Sequence, residues 1–241
     1  MDWPHLETPP IVEALIDIQV EAEPDLDALR GLHAGLKTDY PHLLEGRQEH
    51  VTVRRDGAAT QFDHLQRQRG FAVASANHER LVQFRDDGFT FNWLGPYESW
   101  VSLRDEARRT FAVYFDVIGP QAISRIGVRY VNRIEIPEGV ELSTVTKLHA
   151  QVPPGLPQSV GGEMLRVLLK FEPRTIALVS SLVEAQPDPS GFACVLDIDV
   201  FQQKPLPLDL EGVWERLEEL REVKNKVFFR TLAADTLERY R

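Results

Sequence analysis

The chain has 241 residues, 43% hydrophobic and 27% charged, the composition of an ordinary soluble globular protein with one large domain or two closely packed halves. Its net charge of −10 repels a phosphate backbone at long range, which disfavours general nucleic-acid binding. The longest largely apolar stretch, 176–183, is too short to span a bilayer, the acidic start Met1-Asp2 is unlike a signal peptide, and a lone Cys194 excludes an internal disulfide, so a cytoplasmic protein is expected.

Taken in chain order, Val12 to Val20 alternates as a strand, with Ile16, Ile18 and Val20 on one face and Asp17, Gln19 and Glu21 on the other. Pro24 and Asp25 open a short helix whose apolar stripe is Leu26, Leu29, Leu32 and Leu36, with Asp25 as its N-cap or first-turn acid. Residues 51–55 and 59–64, joined by Asp56-Gly57, predict a hairpin. Gly70 to Asn77, Arg80 to Asp86 and Phe89 to Leu94 then predict three consecutive antiparallel strands. Tyr97 to Val117 follows as a long helix on Trp100, Leu103, Ala107, Phe111 and Phe115.

The second half repeats that order. A strand over Arg125 to Ile136 is followed by a short helix within 140–150, striped by Leu142, Val145 and Leu148. Residues 152–162 form a connector with three prolines and three glycines in eleven residues, Gly161-Gly162 reading as a hinge. Strands over 163–171, 174–184 and 191–201 follow, divided by Glu172-Pro173 and Pro187-Asp188-Pro189-Ser190. A final helix over 210–240 buries Val213, Leu217, Leu220, Val227, Phe228 and Leu232. Charges from Glu215 to Lys226, Arg221 and Lys224 among them, read as its solvated face. The predicted class is α+β: one structural unit over 1–241 with pseudo-repeated β-α-β(3–4)-α halves at 11–118 and 124–240. They form an extensive antiparallel sheet, saddle- or barrel-like, with two long packed helices.

Arg125-Ile-Gly-Val-Arg-Tyr-Val-Asn-Arg-Ile-Glu-Ile136 is the most informative stretch. With a period of two, Ile126, Val128, Tyr130, Asn132, Ile134 and Ile136 share one face, and Arg125, Gly127, Arg129, Val131, Arg133 and Glu135 share the other. Successive arginines are two same-face steps of about 7 Å apart. With Arg166 and Lys170 from a neighbouring strand they can line an anion-binding groove, and Asp197 with Asp199, or Glu13 with Asp17, can hold a metal opposite it. The alternative is a wet sheet face on which arginines and acids pair across strands. Asn132 must find partners on its apolar face, and a ligand contact there is the minor alternative. The aromatic run Phe89, Phe91, Trp93, Tyr97 and Trp100 reads as core wall, with planar-ligand stacking as the other option. The histidines show no metal-ligand spacing, and no phosphate-loop, dinucleotide or hydrolase-elbow motif is present.

Four segments resemble a sporadically distributed, functionally uncharacterised bacterial protein family. They are Pro9-Pro10-Ile-Val-Glu13; Phe89-Thr-Phe-Asn-Trp-Leu-Gly-Pro-Tyr97 with Trp100; Arg125 to Arg133 with Ile136-Pro137; and a terminal helix containing Phe228. The resemblance spans nearly the whole chain, implies an accessory bacterial gene and supplies no catalytic residues.

The expected function is therefore a binding or interaction module, regulatory or partner-like, without a cofactor, recognising a protein partner or a small anionic ligand. A homo-oligomer is left open. The rival is a metal-dependent enzyme on a phosphate-rich substrate, with Arg125, Arg129 and Arg133 as anion clamp. In the enzyme these arginines and a carboxylate pair converge in a concave pocket; in the interaction protein they are spread over a convex or paired surface, with no pocket enclosing them.

Overall fold

The computed structural model describes residues 3–56, 59–153, 155–156, 162–171, 174–185, 191–206 and 209–241. The predicted turns at Gly57, Glu172-Pro173 and Pro187 to Ser190, and most of the connector 152–162 with Gly161, lie outside them.

Nine strands form one antiparallel sheet, and with its helices the protein is α+β. In chain order the strands are β1 (Ile11–Glu21), β2 (His42–Asp56), β3 (Ala59–Ala74), β4 (Arg80–Arg85), β5 (Gly88–Trp93), β6 (Ala122–Pro137), β7 (Gly162–Phe171), β8 (Thr175–Ala185) and β9 (Gly191–Leu206). Across the sheet they run β2-β3-β4-β5-β1-β6-β9-β8-β7. β1 and β6 therefore pair at the centre. The remaining first-half strands extend outward from β1 and the second-half strands outward from β6.

The register puts Ala14, Ile16 and Ile18 of β1 beside Tyr130, Val128 and Ile126 of β6 on one side and Trp93, Phe91 and Phe89 of β5 on the other. All nine side chains are buried on the same face. Both long helices, α3 (Trp100–Ile118) and α5 (Leu210–Thr231), pack on it. The Phe111 ring of α3 meets Phe89 edge-on at 5.3 Å and Trp214 of α5 at 6.3 Å. Wide apolar stripes over an aromatic sheet face supply the burial that fixes both helices. Helix α1 (Leu26–Gly31) is capped by Asp25, which accepts from the Ala28 amide at 2.6 Å, and continues into α2 (His33–Leu36). Ser99 caps α3, and Gly119 ends it at φ 59°, a conformation suited to glycine. No helix among the described residues is long and apolar enough to cross a membrane.

Three expectations need correction. Residues 59–64 and 70–74 belong to one strand, β3. The predicted helix within 140–150 is a single turn, α4 (Leu142–Val145), and the terminal helix is broken into α5 and α6 (Ala234–Glu238). One contact explains both. Thr146 bridges Leu232, the Lys147 amide donates to Thr231 O at 2.8 Å, and the Ala233 amide donates to Val145 O at 3.0 Å. Pairing between positions 86 residues apart stops both helices, and local periodicity does not report it.

Candidate functional site

The face of the sheet opposite α3 and α5 carries the arginines. Gly127 determines how Arg125 lies on it. A side chain at 127 would stand 3.0–3.2 Å from the Arg125 guanidinium, so the glycine leaves the floor over which that group folds. Arg125 Nη1 donates to Asp17 of β1 at 2.5 Å, and Nη2 donates to both oxygens of Asp199 on β9 at 3.0 and 2.9 Å. Its guanidinium also covers the Phe201 ring at 4.5 Å. One side chain thus ties three strands together. Asp17 accepts as well from Arg85 at 2.9 Å and Thr90 at 2.7 Å. Arg129 makes a two-pronged pair with Asp197 at 2.8 and 2.7 Å, and Arg133 donates to Glu135 at 3.0 Å.

Arginines and acids do meet in a concave place, as the enzyme reading requires. Glu13, Asp17, Arg125, Arg129 and Asp199 border a cavity of about 510 Å³. They meet as mutual partners. Burial pushes the Glu13 and Asp199 carboxyls above the ordinary carboxylate value against the pull of the neighbouring arginines. Hydrogen bonding to Asp197 holds Arg129 firmly charged. Arg166 and Lys170 lie on the same face of β7, but Arg166 pairs with Ser180, Ser180 with Asp197, and Asp197 with Val131. Two strands therefore separate Arg166 from β6, roughly 14 Å at the usual strand spacing. The five candidate cations do not form one cluster. Asp197 and Asp199 are engaged by arginines, and the described residues include no group of three or more His, Cys, Asp or Glu side chains placed to hold a metal.

The other face of β6 leads to a second cavity, of about 470 Å³, between α5, the start of α3 and the N-terminal segment. Residues 3–10 cross here. Trp3 stacks on Phe229 at 5.3 Å and donates to Glu222 at 2.9 Å, and Pro10 O accepts from the Arg133 amide at 2.8 Å. Pro9, Ile11, Tyr97, Trp100, Asn132 and Phe228 contribute to the wall. The Tyr97 and Tyr130 hydroxyls are 3.1 Å apart. Asn132 is buried, and its Nδ2 donates to Leu196 O at 3.0 Å and Tyr130 O at 3.3 Å, as a strand-tying role predicts.

Lys224 lies at the base of this cavity, 8% exposed, with Nζ 3.9 Å from the centroid of the Tyr130 ring. Among the described residues its ammonium has neither a hydrogen bond nor an ion pair. The sequence assigned it to a solvated charge run, and that assignment is wrong. Lys224 is four residues after Leu220 and four before Phe228, within the apolar stripe. A charge at a stripe position was the available signal. Burial, and then the Arg221 charge, lowers its pKa to about 7. Phe89, Phe91, Trp93 and Trp100 are core, as expected, and Tyr97 packs against that core; Tyr97 and Trp100 also border the cavity.

No family model matches the chain, and no curated protein is significantly similar to it.

Two outcomes follow. Arg125, 12% exposed and bridging two carboxylates, should cost about 3 kcal/mol when replaced by methionine, because Asp199 loses the arginine that holds it and Asp17 loses one of two. Arg129, 44% exposed, should cost no more than about 1 kcal/mol. Urea unfolding of the two variants checks the difference, and equal costs would contradict it. For Lys224, the folded state releases its proton near pH 7 and the unfolded chain near 10.5. Between these values the unfolded state binds more protons, so this residue makes stability rise with pH. Lys224→Met should therefore be more stable than wild type at pH 7, by a margin that shrinks toward pH 9 in urea titrations at each pH.

Proposed function

We propose that the protein is a binding module, a regulatory or partner protein of an accessory bacterial system, acting in the cytoplasm. The observation that carries this over the phosphate-substrate enzyme is the internal pairing of the arginine face. Arg125 and Arg129 each hold carboxylates with two or more short hydrogen bonds. A phosphate would have to displace these acids, and an acid left unpaired at a partly buried site is costly.

The partner surface in this proposal is the β7 end of the uncovered face. β7 is the last strand of the sheet order, and edge strands offer unpaired backbone groups to another chain. Met164 is 77% exposed and Leu168 53% exposed, both on the uncovered face, with Arg166 and Lys170 alternating between and beyond them. An extended segment with apolar residues facing Met164 and Leu168 and acids facing Arg166 and Lys170 is complementary to this strand. The same proposal takes 11–118 and 124–240 as pseudo-repeats across the β1–β6 pair, in a saddle-shaped sheet. Matching strand orders outward from the centre support this, and superposition of the halves tests it.

Copurification from the native host tests the partner surface. A protein retained by wild type should be lost from Met164→Asp/Leu168→Asp while the variant stays folded, and unchanged retention would contradict the surface. With magnesium or manganese, the purified protein should hydrolyse neither nucleoside triphosphates nor inorganic triphosphate. Turnover abolished by both Arg129→Ala and Asp197→Ala would establish the enzyme reading instead.

A further inference from the structure

We infer that the cavity between α5, the start of α3 and the N-terminal segment binds a small aromatic anion, with Lys224 as the group that receives its charge. The site is separate from the arginine face and independent of the β7 surface.

The first support is an unmet cation. Lys224 presents three donors to the cavity; among the described residues they make no hydrogen bond, its closest counterpart is the face of Tyr130, and the Glu222 charge acts on it only from a distance. A cation–π contact offsets part of the desolvation cost but fills no hydrogen bond. The two α5 acids on this side, Glu218 and Glu222, have other engagements. Glu222 accepts from Trp3 at 2.9 Å and faces Arg221 at 3.5 Å, while Glu218 accepts from Trp100 at 2.7 Å and from Arg104 at 2.8 Å. Arg221, one turn before Lys224, adds a second cation to the same wall. Glu7 and Glu98 also border the cavity, so the preference for an anion is local to the α5 wall, where Lys224 makes no hydrogen bond or ion pair among the described residues.

The second support is the chemistry of the walls. Trp3, Tyr97, Trp100 and Phe228 supply aromatic surface, and the volume of about 470 Å³ falls within the range of small-molecule sites. Asn225 is buried at the wall, and its side chain makes no hydrogen bond among the described residues. It can orient a carboxylate or sulfonate already neutralised by Lys224. A planar body between aromatic walls, with one acidic group toward α5, satisfies each of these groups.

Titration calorimetry with benzoate, 1-naphthoate and naphthalene-1-sulfonate tests the site, with Trp fluorescence reporting on Trp3 and Trp100. The neutral 1-naphthylmethanol is the control. At least one anion should bind below about 1 mM and more tightly than the neutral control. Lys224→Met should weaken that anion at least about tenfold, the loss of a charge-assisted hydrogen bond, while leaving the neutral compound unchanged. Arg129→Met, on the opposite face, should bind like wild type. Arg221→Gln supplies the same comparison if Lys224→Met does not fold. The inference is overturned if no anion binds, if the neutral compound binds as well, or if the lysine or arginine variant that folds binds the anion like wild type.

Discussion

Because side chains alternate along a strand, β6 alone sets the character of both sheet faces at the centre of the molecule. One side must be apolar to seat α5. The other carries arginines that need partners, and β1 and β9 supply acids at the registered positions. Asp17 lies opposite Gly127, Asp199 opposite Arg129, and Asp197 opposite Val131. Arg125 reaches diagonally across Gly127 to two of these acids, which is why a glycine follows it two positions later in the strand. The Arg-x-Gly spacing thus has a structural cause, independent of any ligand.

The two faces handle buried charge differently. On the arginine face, cation and carboxylate meet across strands and little charge is left for an incoming ion. Under α5 a single lysine is held against tyrosine while Glu218 and Glu222 of the same helix are engaged by indoles and arginines. An overall charge of −10 makes the contrast sharper. In a protein with more acids than bases, a buried lysine that forms no ion pair among the described residues departs from the pairing seen on the other face. Buried ionisable groups with shifted affinity for protons concentrate at functional sites.

Most of the sheet was legible in the sequence because each strand states its face through alternation, and the aromatic run at Phe89 to Trp93 is buried as its periodicity implied. The Asp25 cap was legible because its chemistry is local. The break at Leu232 was not, since its cause is a backbone bridge to Thr146, far away in the chain. The arginine strand was found, but its partners depend on register, which a single strand does not contain. Lys224 was overlooked among the eight charges between Glu215 and Lys226, although its place in the Leu220 and Phe228 stripe set it apart. The N-terminal segment gave no sign that Trp3 would fold back onto Phe229.

The claim that Lys224 is an unsatisfied cation awaiting an anion is tested most directly by nitrogen NMR of its side chain, titrated with and without 1-naphthoate. Lys224→Met assigns the signal. The account predicts titration near pH 7 in the free protein and a clear upward shift when the anion is bound, because the bound charge favours the ammonium. Titration at the ordinary lysine value of about 10.4, unchanged by the anion, would contradict it.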